Sequence, residues 1–300
     1  MITKITGRFR TFVKPFPLIG LLLAPVAGIA QDFDAIQIST TPVRDGIYML
    51  QGSGGNIGLS IGEDGTFIID DQFAPLTEKI AAAIAELTDQ PVNFVVNSHF
   101  HYDHADGNEN FGRAGAYIVA HDNARRRMES TQVLASGRVQ EPYESVGLPK
   151  ITFFDNMRFY FNGNAVDIVN TGNGHTDGDA QVYFQDANVI HTGDMFVRYG
   201  LPFIDQNNGG TLDGMIEALW KIDGLINDDT IIIPGHGQLS TRADLREFRN
   251  MLVEIRGNLM RAKVQGLTPQ AMLDTQPAAG YAPANDNTAQ WLLRAYGEYL

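Results

Sequence analysis

Four of the six residues His99-Phe100-His101-Tyr102-Asp103-His104 carry side chains that offer nitrogen or oxygen to a cation, and three of the chain's seven histidines are among them. The run Val92-Asn93-Phe94-Val95-Val96-Asn97 leads straight into this cluster and reads as a short apolar strand, so the ligand-type residues begin where a strand ends. In extended chain, positions i and i+2 point to the same face, which lets His99 and His101 chelate one ion. Asp103 and His104 come where the chain must turn, within reach of a neighbouring ion. His-rich tracts at surfaces or in tags also bind metal without purpose. Here the preceding strand and the following Asp106-Gly107 belong to a folded segment, not to a tail.

Three further candidates each follow a β-type run. His175 lies in Thr171-Gly172-Asn173-Gly174-His175-Thr176-Asp177-Gly178, where the glycines permit tight turns. Asp194 follows residues 189–191 in Thr192-Gly193-Asp194, and His236 follows 231–233 in Pro234-Gly235-His236-Gly237. Singly each is weak; with the dense motif they suggest ligands gathered on loops at one edge of a sheet.

The rest of the pattern supplies such sheets. Strands are expected at 47–50, 56–61 and 66–70, a helix at 75–87 stopped by Pro91, and strands at 92–97 and 117–120. A helix over 123–134 and a loop over 136–149 follow. A second β-rich block covers 151–154, 157–161, 166–170, 180–184 and 189–191. It gives way to a helix at 212–226, a strand at 231–233 and helices within 242–264, 269–273 and 288–300. Two blocks of strands, each followed by helices, suggest two α/β halves that pack their sheets together with helices outside.

Residues 1–30 read as a secretory signal: Lys4, Arg8, Arg10 and Lys14 precede an apolar run that ends in Gly28-Ile29-Ala30, with cleavage expected after Ala30. The run is short for a membrane span and holds Pro17 and Pro25. The mature chain is then one domain over 31–300, periplasmic or secreted, with no membrane attachment. Removing the four basic leader residues from 22 Lys and Arg leaves 18 against 35 Asp and Glu, a formal charge of −17. Such a surface repels nucleic acid and leaves a small molecule as the expected partner. With no cysteine there is no disulfide, thiolate ligand or thiol nucleophile.

Taken in order, Asp70 at a strand end, the motif 99–104, His175, Asp194 and His236 resemble the landmarks of the metallo-β-lactamase superfamily. The resemblance implies an α/β fold, the αββα four-layer sandwich, with metals at one edge of the sheets. It implies that His99, His101 and His175 hold one ion, that Asp103, His104 and His236 hold a second, and that Asp194 bridges them. Asp70 is similar to the family's buried aspartate that orients the motif loop. Lack of cysteine excludes the branch with a cysteine ligand. The full set, with Asp194, is closest to glyoxalase II, quorum-quenching lactonases and related dinuclear hydrolases.

The chemistry expected is hydrolysis with two zinc ions, iron and manganese also fitting this nitrogen and oxygen set. Two adjacent dications favour a shared water that ionises near neutral pH, with Asp103 as the catalytic proton carrier. The substrate expected is a cyclic amide or ester, a β-lactam or lactone. Two alternatives stand beside it: an iron-dependent oxidoreductase of the same fold, similar to sulfur dioxygenases, and a thioesterase of the glyoxalase II type. Specificity is expected from loops 52–56, 136–149 and 198–210, with Arg198 as a candidate carboxylate holder and Tyr102 as a candidate substrate contact. His121 and His191 read as structural, and Trp220 and Trp291 as core anchors.

Overall fold

The computed structural model describes residues 32–300, and residues 33–300 form one compact unit. The expected leader lies outside the described residues. Strands β1 (Ser39–Arg44), β2 (Ile47–Gln51), β3 (Ile57–Gly62) and β4 (Gly65–Ile69) form an antiparallel meander. Helix α1 (Thr77–Ala85) returns the chain so that β5 (Val92–Val96) lies parallel to β4. Helices α2 (Tyr102–Ala105) and α3 (Asn108–Arg113) lead to β6 (Tyr117–His121). After it come α4 (Asp122–Met128), a small ladder of β7 (Gln132–Val133) with β8 (Val139–Gln140), and β9 (Ile151–Phe153). The seven-stranded sheet runs β1-β2-β3-β4-β5-β6-β9.

The second sheet is built from β10 (Asn156–Phe161), β11 (Asn164–Val169), β12 (Gln181–Phe184) and β13 (Val189–His191), all antiparallel. Helix α5 (Leu212–Leu225) then crosses over to place β14 (Ile231–Ile233) parallel to β13. Helices α6 (Arg242–Val264), α7 (Pro269–Asp274) and α8 (Asp286–Gly297) complete the chain.

Side-chain alternation along the strands decides the layering. Phe67 and Ile69 of β4 join Val96 and Val119 in a core shared with Phe184, Val189 and Ile233 of the other sheet. Their neighbours Ile68, Val95 and Ile118 face the opposite way, against Ile80 and Ile84 of α1. On the second sheet Ile190 and Ile232 pack outward onto Leu219, Leu252 and Leu292 of α5, α6 and α8. Each such fully buried side chain contributes about 2 kcal/mol, which fixes both faces of both sheets. The result is the αββα order expected from the sequence.

Two local expectations fail. The helix expected over 123–134 ends at Met128, and residues 132–133 pair with 139–140 inside the expected loop. Gln132 Nε2 donates to the carbonyls of Arg127 and Ser130, at 3.1 and 2.9 Å, and closes the helix end. Trp220 is 55% exposed and is no core anchor. It lies one position off the buried stripe of α5, with the Arg249 guanidinium stacked 3.4 Å over its ring. Trp291 is buried as expected.

Candidate metal centre

The strand ends deliver the ligand-type residues to one place. His99 and His101 follow β5, Asp194 follows β13, His236 follows β14, and His175 sits in the connection from β11 to β12. His175 Nε2 lies 3.1 Å from His99 Nε2 and 2.8 Å from His101 Nδ1. Each ring engages an acceptor with its other nitrogen: His99 Nδ1 meets Ser98 Oγ at 3.0 Å, His101 Nε2 meets Asp205 Oδ2 at 2.9 Å, and His175 Nδ1 meets the Phe203 carbonyl at 2.7 Å. A ring that donates its proton outward turns a lone pair inward, so three lone pairs face one another and call for a cation.

A second set lies beside the first. His104 Nε2 is 3.2 Å from His236 Nε2, and Asp103 Oδ2 is 3.8 and 3.4 Å from those two nitrogens. Asp194 stands between the sets: Oδ1 is 3.2 Å from His104 Nε2 and 3.5 Å from His236 Nε2, while Oδ2 is 3.7 Å from His175 Nε2. Asp194 Oδ1 is buried yet meets no donor in hydrogen-bonding geometry. His99, His101 and His175 form one potential ligand group, Asp103, His104 and His236 another, and His99, His104 and Asp194 span them, the ligand atoms of each group lying within 4.8 Å of one another. The cluster is compatible with divalent metal ions.

The electrostatics differ between the sets. Burial and the neighbouring histidines hold His99 well below its ordinary pKa, and burial takes His175 down to about 4, so both rings are neutral at neutral pH. In the second set burial disfavours charge on His236, but Asp194 and Asp103 outweigh it and raise that residue to about 9. Burial likewise opposes ionisation of Asp103, and His104 and His236 overcome it to bring the carboxyl to about 2. Positive charge is therefore in demand where Asp103, Asp194, His104 and His236 meet.

All seven residues singled out in the sequence are brought together, and Asp70 takes the orienting position. Asp70 Oδ2 lies 2.7 Å from His104 Nδ1 and accepts the Ser98 hydroxyl at 2.7 Å, while Oδ1 accepts the Ser98 N–H at 2.6 Å. Tyr102, Tyr199 and Phe203 line a cleft of about 240 Å³ over the centre, with Leu134 and Ser136 from the loop after β7. Arg198 does not face this cleft: it pairs with Asp244 at 3.3 Å, near the start of α6. His121 caps α4 by accepting the Asn123 N–H, and His191 Nε2 donates to the Asn56 carbonyl at 2.9 Å, so neither joins the centre.

Sequence reasoning missed Asp205 and Asp179. Asp179 Oδ2 accepts the N–H groups of His175 and Thr176 at 2.9 and 2.8 Å and sets the loop that presents His175. Asp205 is 104 positions from His101, and nothing in a linear reading joins them.

The sequence profile of the metallo-beta-lactamase superfamily matches residues 50–236, and the chain belongs to that superfamily. Among solved structures, DIM-1 metallo-beta-lactamase is similar at TM-score 0.60 and 16% identity, over 73% of this chain and 98% of that one. A metallo-beta-lactamase from Pontibacter korlensis is similar at TM-score 0.61 and 19% identity, over 72% and 99%. A double mutant of the sec-alkyl sulfatase PisA1 is similar at TM-score 0.67 and 16% identity, over 88% of this chain but 50% of that one. At these identities the likeness is one of fold.

Proposed function

We propose that the chain is an exported dinuclear zinc hydrolase that opens a cyclic amide or ester, a β-lactam or a lactone, in the periplasm or outside the cell. The observation that carries the reading is Asp194, whose two oxygens divide between the His175 side and the His104 and His236 side. A carboxylate in that position would be shared by the two sets if each held a cation. Export rests on the leader-like sequence of residues 1–30.

When bound, two such cations bring the ionisation of water towards neutral pH and polarise a carbonyl oxygen. The chain's own part is to hold and shield. His99, His101 and His175 point fixed lone pairs inward, and Leu134, Tyr199 and Phe203 wall the cleft against bulk water. Asp103, ionised at neutral pH and beside His236, is the proton carrier between the attacking oxygen and the departing atom.

The test is turnover of nitrocefin and of an acyl-homoserine lactone by protein loaded stepwise with zinc. The expected result is hydrolysis of one class, rising with the second equivalent of metal. Binding of two equivalents with no turnover of either class overturns the reading.

A further inference from the structure

Beside the metal cleft lies a second groove of about 400 Å³ that shares Tyr199 and Phe203 with it as walls. Leu201, Pro202 and Trp291 supply apolar surface, and Arg294 lines the groove from α8. Trp291 Nε1 donates to the Pro202 carbonyl at 2.6 Å, which ties the wall segment 199–203 to α8 and leaves the groove formed in advance. Arg294 stands three residues beyond Trp291, on the same side of the helix.

The charge of Arg294 is what gives the groove a ligand. Arg198 is held by Asp244, and the Arg138 guanidinium lies 3.4 Å over the Tyr102 ring. Among the described residues no hydrogen bond or ion pair occupies Arg294, in a chain with 35 acidic and 22 basic residues. Among the described residues no Lys or Arg lines the metal cleft. Away from the metal positions, the chain's own counter-charge for a negative group distant from the reacting carbonyl therefore lies along the groove. One planar guanidinium suits a carboxylate, which it grips with two parallel hydrogen bonds.

We propose that this groove is a substrate subsite that receives the apolar body and terminal carboxylate of an ester or amide whose carbonyl lies at the metal centre. As a substrate assignment it rests on the hydrolase reading above. It makes Arg294 and Trp291 specificity residues, with Tyr199 and Phe203 as the shared wall.

The experiment reads binding without turnover. The sequence has two tryptophans, so Trp220→Phe leaves Trp291 as the only reporter. Metal-loaded Trp220→Phe protein is titrated with 6-phenylhexanoate and with its methyl ester, following Trp291 fluorescence. The expected result is saturable binding of the carboxylate that weakens about tenfold in Arg294→Gln and is partly restored in Arg294→Lys. Methyl ester binding should be the same in all three proteins. Equal affinity of the carboxylate with and without Arg294 overturns the subsite, including the case in which the probe binds only the metals. Arg294-dependent binding in a protein that hydrolyses neither nitrocefin nor lactone removes the hydrolase reading and leaves the groove a carboxylate site.

Discussion

Asp205 reaches two parts of the centre at once: Oδ2 lies 2.9 Å from His101 Nε2, and Oδ1 accepts the backbone N–H of Ala135 at 2.8 Å. One buried carboxylate thus fixes the tautomer of a candidate ligand and anchors the turn whose Leu134 and Ser136 line the cleft. The amide of Asn208 also donates to Oδ2, at 2.7 Å, so the acceptor is held from both sides.

Replacing Asp205 with Ala should therefore weaken metal binding and loosen the cleft wall together. The expected loss in affinity for the first ion is about 10- to 100-fold, the range for removing an outer partner of a ligating histidine. Competition with a chromophoric chelator measures it. Unchanged affinity in a folded variant would refute the orienting role.

Asp70 makes a stricter test because its backbone is unusual. Its φ is +64°, a conformation that Asn accepts more readily than most residues, so Asp70→Asn changes the carboxylate and spares the turn. The new amide nitrogen would face donors at Ser98 Oγ and His104 Nδ1. The ion-free protein should lose about 1–3 kcal/mol in urea denaturation, the cost of stranded buried donors. Occupancy of the His104 and His236 set should fall while the three-histidine set keeps its ion.

How far such positions were legible depends on the kind of signal. The motif 99–104 was visible because four donors fall within six residues, and His175, Asp194 and His236 because each closes a β-type run. The layers were visible because two blocks of strands are each followed by helices, an order that buries both faces of each sheet. The end of α4 was not, since no Gly or Pro falls between Asn123 and Gly137 to mark a stop. Trp220 lies in a helical pattern, and that alone does not tell which face it takes. The buried Met215, Leu219 and Ile222 define a stripe that it sits beside. Asp205 was invisible because its role exists only once the chain has folded.

The two ligand sets should also differ in proton release. His99 and His175 are depressed and bind metal without losing a proton at pH 7, whereas His236, raised to about 9, must give one up. Calorimetry in buffers of different ionisation enthalpy should show proton release for the ion in the second set, whose affinity rises with pH up to about 9. Equal proton release by both ions would contradict the assignment.

The same values set the stability of the ion-free protein. His236 is raised above its ordinary 6.5, so its contribution is complete below pH 6.5 and is lost as pH climbs through about 9. His175 is depressed to about 4, so its contribution is present above pH 6.5 and is lost as pH falls towards 4. Urea midpoints of ion-free protein should therefore decline as pH climbs from about 6.5 through about 9, whereas on the acid side the loss at His175 is opposed by Asp179, which burial raises to about 7 and which therefore stabilises as pH falls. Addition of zinc should lessen the alkaline decline, because the cation takes the place of the His236 proton.

Gly235 offers the most local probe of Asp194. A Cβ built there would collide with Asp194 Oδ1 and lie 2.6 Å from the carbonyl carbon of Gly193, so even alanine forces the carboxylate away from the second set. The backbone of Gly235 also donates to the carbonyls of Gly193 and Phe196, at 2.9 and 3.0 Å, and these bonds hold the loop against simple retreat. Gly235→Ala should thus bind one equivalent of metal where the parent binds two, read by elemental analysis after dialysis. The three-histidine set is held by Ser98, Asp205 and the Phe203 carbonyl and should retain its ion. Two equivalents bound at parental affinity would mean that Asp194 does not join the two sites.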